Sequence, residues 1–468
     1  MTEALFVDGK PRLGSGELLE LRSRRDGSLL ASMAGATAAD VADAYTSAVA
    51  AQDEWAARPP GGRAAVLHGA AQLFRERAGE LGDLIAAEMG KPVLEARTEV
   101  EKGAAVLDYY AEAGYLAQGA TYRTDTGEDV LVLREPLGVV ALITPWNFPF
   151  TMPIRKVAAS LAAGNAALLK PAPGGVLIAL AIAQTLTDAG LPAGVLNVVY
   201  GSVADVSEAL LGDPRLAGVS LTGSYATAAA VRRRLPVEVP LQAELGGKNA
   251  LVVWRDADVE AAVPLIWQSS FRNNGQICTS AGRLLVHEAV ADALLEALRR
   301  KVVDAPVTTG DGDFGVLSSE QAQQRIEQVL ARHDAAVTER FTPSWPAGLF
   351  GPTVLVEPTA AELVEEEIFG PVLTFERIGS LDEAVAKANA TAYGLTAGII
   401  TNDLAVASAF WRRANAGTVK VNAPLTGAPF HVPMQGFGRS GAGQGEGGTA
   451  SSEFFTRNKT VHIRRTNP

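Results

Sequence analysis

Four short apolar runs, Val139 to Ile143, Ala166 to Leu169, Val195 to Val199 and Val219 to Leu221, start 27, 29 and 24 residues apart. That interval matches one βαβ unit, a buried parallel strand followed by a returning helix. The stretches between them agree, since Met152 to Ala163 and Gly175 to Ala189 are Ala-rich and helix-compatible, and Gly190-Leu191-Pro192 stops the second. The rhythm predicts an open α/β domain whose chemistry lies just after each strand, at the carboxyl edge of the sheet. A second α/β pattern follows Gly247, with Leu251 to Val253, Leu284 to Val286, Val372 to Phe375 and Thr418 to Val421 as strands. A site is therefore expected between the two units. Thr37 to about Gly119 reads as helical, opened by a capping box of Thr37 and Asp40. Thr121 to Glu135 and Glu453 to Arg465 alternate apolar and polar residues in places and fall outside the rhythm. One reading makes them edge strands or arms that pair with another subunit, the other makes them surface hairpins.

A length of 468 residues calls for two or more domains. With 47% apolar and 20% charged residues, the composition fits a globular protein and argues against extensive disorder. A net charge of −11, without any long run of Lys or Arg, speaks against nucleic acid or an anionic membrane as the partner. One cysteine rules out an internal disulfide, and five scattered histidines give no zinc-ligand spacing, so no metal is expected. Met1 to Lys10 carries Glu3 and Asp8 and lacks the basic-then-apolar order of a secretory signal. The apolar stretches near Val157 and Val176 are broken or too short to span a bilayer, and a cytoplasmic, reducing location is expected.

Taken alone, Cys278 behind the turn at Gly275 is either a buried, inert residue or a nucleophile, and Glu244 is either a solvated or a catalytic carboxylate. Their surroundings say more. Phe271, Asn273, Gly275, Gln276 and Cys278 spell F-x-N-x-G-Q-x-C, and Glu244-Leu245-Gly246-Gly247-Lys248 begins 34 residues before the cysteine. Thr144-Pro145-Trp146-Asn147-Phe148-Pro149, Lys170-Pro171, Thr222-Gly223-Ser224 and Glu367-Ile368-Phe369-Gly370-Pro371 complete the set. In this order, and over nearly the whole chain, these motifs resemble the aldehyde dehydrogenase superfamily.

The resemblance implies an α/β fold of the aldehyde dehydrogenase type, two open α/β domains with a small β oligomerisation arm. Residues 1–118 and 137–246 would bind the dinucleotide, 247–440 would carry the nucleophile, and 119–136 with 451–468 would form the arm of a homodimer or homotetramer. It also implies oxidation of a small-molecule aldehyde to an acid, with NAD or NADP as cofactor. Cys278 would attack the aldehyde, the Asn147 amide and the Cys278 N–H would hold the oxyanion, and Glu244 would be the base that hydrolyses the thioester. Ile143, Thr144, Trp146, Lys170, Ser224, Glu367 and Phe369 would contact the cofactor. No G-x-G-x-x-G occurs, which is consistent with this superfamily.

Two positions depart from the pattern. Pro173 stands where many NAD-preferring members have a Glu that repels a 2′-phosphate, which leaves the choice of cofactor open. Glu446 is displaced by one residue from the S-G-x-G-R-E pattern and is left out of the expected site. On the substrate side, Phe148 and Arg155 would line the entrance, Arg155 sharing a helix face with Thr151 and anchoring a distal acid group. The alternative for Arg155 is a solvated or structural helix residue. Two rival functions are an acylating enzyme that passes the thioester to coenzyme A and a catalytically silent scaffold. Glu244 speaks against the first, and Cys278, Glu244, Asn147 and Lys170 together speak against the second.

Overall fold

The computed structural model describes residues 5–115, 119–306, 314, 316–346 and 349–464. Residues 1–4 and 116–118 of the first expected domain, and 465–468 of the expected arm, lie outside them.

The apolar runs become the strands Val139–Ile143, Ala166–Lys170, Leu196–Val198 and Leu216–Thr222, all parallel, and Leu241–Glu244 adds a fifth. Helices on both faces explain why these strands are continuous apolar runs rather than alternating ones. The helices Thr151–Ala162 and Val176–Asp188 follow the first two strands. The long helices Ala38–Ala57, Pro60–Glu76, Ala78–Met89 and Val93–Ala113 come before the strands in sequence. The capping box at Thr37 forms as expected, with Asp40 accepting from the Thr37 N–H. Trp55, Phe74 and Tyr110 bury fully in one core with Leu142 and Leu169.

Across the sheet the parallel strands run Leu196–Val198, Ala166–Lys170, Val139–Ile143, Leu216–Thr222, Leu241–Glu244. The order reverses between Val139–Ile143 and Leu216–Thr222, so the loops leaving these two carboxyl ends diverge and leave a crevice. Leu5–Val7 and Lys10–Arg12 extend one edge, and Gly441–Ala442 extends the other, pairing Glu244 with Gly441.

The second sheet has the order Glu339–Phe341, Thr353–Val356, Val372–Ile378, Ala281–His287, Asn249–Val253, Thr396–Ile400, Thr418–Val421, parallel except at Glu339–Phe341. Here the motif residues come before the strands. Lys248 precedes Asn249–Val253, Cys278 precedes Ala281–His287, and Glu367 and Phe369 precede Val372–Ile378. The motif residues thus follow the strands in the first sheet and precede them in the second.

Gly119–Arg123, Asp129–Pro136 and Thr456–Ile463 form a separate antiparallel sheet in which Thr456 pairs with Pro136 and Ile463 with Asp129. The two segments outside the βα rhythm therefore pair with each other. Among the described residues, no helix is long and apolar enough to cross a membrane.

Candidate active site

The Cys278 loop is built by the residues of its motif. Phe271 buries against Trp267, with ring centroids 5.0 Å apart. Asn273, Asn274 and Gly275 then take left-handed backbone angles, with φ of 49°, 54° and 66°. Three such residues in a row turn the chain sharply, a strained arrangement that surrounding contacts must hold. A side chain at Gly275 would strike the Gly370 carbonyl, so only glycine fits. Gln276 donates to the Asn273 carbonyl at 3.3 Å and accepts from the Ser318 N–H at 3.0 Å. Asn249 donates to the carbonyls of Cys278 and Ser280, both at 2.8 Å, and accepts from the Thr396 N–H at 2.9 Å.

Asn147 reaches this loop from the crevice of the first sheet, its amide donating to the Gln276 carbonyl at 2.9 Å. Cys278 keeps partial exposure. Burial by the surrounding protein nevertheless pushes its thiol up to about 12, helped by the Glu367 and Glu244 carboxylates and opposed by the Thr279 N–H and Arg155. The resting thiol is therefore protonated at neutral pH.

Glu244 ends its strand 3% exposed, and neither carboxyl oxygen has a hydrogen-bond partner. Burial, and then the Glu446 carboxylate, push it well above the usual carboxylate range, while Lys156 and Arg155 pull the other way. Glu446, left out on sequence, thus belongs to this cluster. It is 1% exposed, paired with Lys156 and 3.8 Å from Arg155 Nε. Its backbone is held by Met434, the two residues exchanging hydrogen bonds of 2.7 and 2.8 Å. Lys156 also donates to Ser220 Oγ at 3.0 Å, and Ser220 to Gln242 at 2.8 Å.

Arg155 is 6% exposed, which excludes the solvated alternative and moves the guanidinium from the entrance to the interior. Its Nη2 has no hydrogen-bond partner. Thr151, expected on the same face, instead donates its hydroxyl to the Glu99 carbonyl at 3.1 Å. Phe148 lies under Lys91, whose Nζ is 4.1 Å from the ring centroid.

The crevice has donors suited to a dinucleotide. Thr144 and Thr222, which flank it, each bury a hydroxyl without a partner. Ser224 caps the helix Tyr225–Arg234 through the Thr227 N–H at 3.1 Å, leaving that N-terminus facing solvent, where backbone N–H groups favour a phosphate. By contrast, Glu88 already fills the N-terminus of Val176–Asp188, accepting from the N–H groups of Val176, Leu177 and Ile178. Lys170 is partly buried, its ammonium pulled down by burial, with one long hydrogen bond of 3.4 Å to the Pro171 carbonyl. Ile143 ends its strand beside Lys170 in register.

At the other end, Glu367 accepts from the Gly247 N–H at 2.9 Å and is pushed up to about 7, chiefly by burial. A side chain at Gly246 would strike its carboxyl group. Phe369, at φ 55°, meets Trp146 edge-on at 5.5 Å. Pro173, Gly174 and Trp146 border a cavity of about 430 Å³ that also touches Arg24.

The aldehyde dehydrogenase family model matches residues 13–461. The chain belongs to the aldehyde dehydrogenase family. It is 35% identical to the 2,5-dioxopentanoate dehydrogenase of Saccharolobus solfataricus, over 96% of this chain and 97% of that one. It is 37% identical to betaine aldehyde dehydrogenase 2 of Rhizobium meliloti, over 98% and 97%. The NADP-dependent glyceraldehyde-3-phosphate dehydrogenase of Bacillus halodurans, solved with NADP, superposes with a TM-score of 0.95 at 30% identity, covering 99% of both chains. The enzyme is an NAD(P)-dependent oxidoreductase acting on aldehydes.

Within this aldehyde dehydrogenase the sequence reading passed over Lys156, Asn249 and the Lys91–Glu99 pair, and weighed Glu446 but left it out. Lys156 carried one usable signal, a charged residue on a helix whose following residues, Val157 to Ala163, are apolar apart from Ser160. Asn249 and Glu446 draw their meaning from partners 29 and 290 residues away, and the Lys91–Glu99 pair from the loop 51 to 56 residues beyond it, which no local pattern reveals.

Proposed function

We propose that this aldehyde dehydrogenase oxidises a small aldehyde bearing a distal carboxylate, through a thiohemiacetal and then a thioester on Cys278. The observation that carries this reading is the buried, unpartnered Arg155 Nη2, close enough to Cys278 for its charge to act on the thiol. Lys156 pairs closely with Glu446, which leaves Arg155 as the less compensated cation. An anion beside it satisfies a guanidinium that is costly to leave unpaired, whereas a cationic aldehyde does not. The name of the Saccharolobus relative denotes such an acid-bearing aldehyde, and that of the Rhizobium relative a cationic one.

Cys278 gives up its thiol proton to water, its thiolate attacks the carbonyl carbon, an S–C bond forms, and the carbonyl electron pair moves onto oxygen. The Asn147 amide and the Cys278 N–H donate to that oxyanion. When bound, the nicotinamide accepts the hydride that leaves this carbon. Glu244 takes a proton from the water that attacks the resulting thioester, the C–S bond breaks, and acid and thiolate separate. Glu244, in electrostatic reach of Cys278, favours water over coenzyme A as the acceptor.

Ile143, Thr144, Trp146, Lys170, Ser224, Glu367 and Phe369 would hold the cofactor between residues 1–118 with 137–246 and residues 247–440. The small sheet of Gly119–Arg123, Asp129–Pro136 and Thr456–Ile463 leaves Tyr122, Leu133 and Ile463 exposed, which suits an arm, residues 119–136 and 451–468, joining subunits of a cytoplasmic homodimer or homotetramer.

The substrate reading is tested by comparing succinic semialdehyde with hexanal in the parent and in Arg155→Leu. Loss of a charge-assisted pair is worth about 1.5–3 kcal/mol, so kcat/KM for the semialdehyde should fall about 10- to 150-fold more than that for hexanal. Equal losses, or a parent that prefers hexanal, would refute it. For the cofactor, Pro173→Glu should raise the NAD-to-NADP ratio of kcat/KM about tenfold or more by repelling the 2′-phosphate. An unchanged ratio would show that residue 173 does not meet the adenosine ribose.

A further inference from the structure

We propose that the buried pair Lys91–Glu99 is a positioning device for Asn147, fixing the oxyanion donor from behind without touching substrate. The inference rests on the reading of Asn147 as that donor. Lys91 and Glu99 are 2% and 3% exposed and are bonded to each other. Lys91 Nζ also donates to the Asn147 carbonyl at 2.9 Å and lies over the Phe148 ring. Glu99 Oε1 accepts from the N–H groups of Phe150 and Thr151, at 2.9 and 3.0 Å, and its carbonyl accepts the Thr151 hydroxyl. Two side chains thus fasten residues 147, 148, 150 and 151, while Asn273 adds a weaker contact to the Asn147 carbonyl at 3.4 Å.

The loop they grip has little means of holding itself, since Pro145 and Pro149 bring no N–H to it. Two well-packed apolar residues would stabilise the interior about as well as a buried ion pair does, so the pair's distinctive contribution is geometry. Geometry matters most at Asn147, because a shift of about 1 Å in a catalytic group costs about 100-fold in rate.

The test uses the full-length enzyme and the acylation rate, read as the burst of reduced cofactor with whichever of NAD and NADP the parent turns over faster, in native and Asn147→Ala backgrounds. The substitutions are Lys91→Met and the double change Lys91→Met/Glu99→Gln. The double change leaves no unpaired buried charge and carries the test should the single variant not fold. In the native background, acylation should fall about 10- to 100-fold. The Kd of that cofactor, followed by tryptophan fluorescence, should stay within about twofold, and Lys91→Arg should restore part of the rate. In the Asn147→Ala background the same changes should cost less than about threefold, because the residue they position is gone. Full, additive losses in that background would overturn the proposal and assign the pair a general structural role. A loss below about threefold in the native background would overturn it too. An Asn147→Ala variant that acylates at the parent rate would overturn the reading of Asn147 itself, and the inference with it.

Discussion

Cys278→Ala is expected to abolish aldehyde-dependent reduction of NAD or NADP while leaving cofactor binding intact. With one cysteine in the chain, no second thiol exists to form the thioester. Reduction at a rate near the parent's would show that the reaction needs no covalent intermediate. The same residue predicts a pH dependence. A group with a raised pKa is held in its protonated form, so at any pH below about 12 most of the enzyme carries the inert thiol. Alkylation of Cys278 by iodoacetamide should therefore rise about tenfold per pH unit between pH 7 and 9. A plateau reached below pH 8 would mean that the free enzyme already stores a thiolate, and that Arg155 and the Thr279 N–H outweigh burial and the two carboxylates.

Burial had to be seen in three dimensions for that argument, and the same holds across the molecule. The parallel strands of the first sheet were legible because each is a continuous apolar run ended by a turn, with helices that cover both faces. Thr353–Val356 and Thr396–Ile400 escaped notice although they are as long as strands that were read, such as Thr418–Val421 and Asn249–Val253, because Thr and Gly dilute the apolar run in Thr396–Ile400 and Pro352 and Pro358 bracket Thr353–Val356. The motif residues Cys278, Glu244 and Asn147 were legible as chemistry through resemblance. What the resemblance did not convey was why they sit where they do, which depends on Asn249, on the three left-handed residues before Gln276 and on the strand Gly441–Ala442 beside Glu244.

Arg155 shows the limit of reasoning from spacing. Four residues from Thr151 it shares a helix face, but spacing cannot say whether that face meets water, substrate or Glu446. Only burial and the 3.8 Å approach to Glu446 place it inside. Glu446 shows the converse. Spacing left it out of the expected site, whereas its burial and its pairing with Lys156 put its carboxylate in the cluster around Glu244.

Glu244→Gln should separate the two halves of the reaction. The substitution preserves shape but cannot accept the proton of the attacking water, so the first turnover should proceed and the second should stall. The expected trace is a burst of reduced cofactor approaching one equivalent per site, followed by a steady state about 100- to 10,000-fold slower than the parent's. Absence of both burst and turnover would place Glu244 in acylation or in the fold instead. The pH dependence of the parent supplies an independent check, because a base works in its deprotonated form. Burial and Glu446 raise Glu244, so deacylation should climb as pH rises through a value well above the ordinary carboxylate range, and the Gln variant should lack that limb. The same substitution acts on the nucleophile. Ionised Glu244 is one of the groups that raise the Cys278 thiol, so at pH values where the parent's Glu244 is ionised, Glu244→Gln should alkylate faster than the parent. Slower deacylation with faster alkylation in one variant is a pairing that a merely disordered site does not produce. If both rates fell together, Glu244 would be holding the Cys278 loop in place rather than serving as the base.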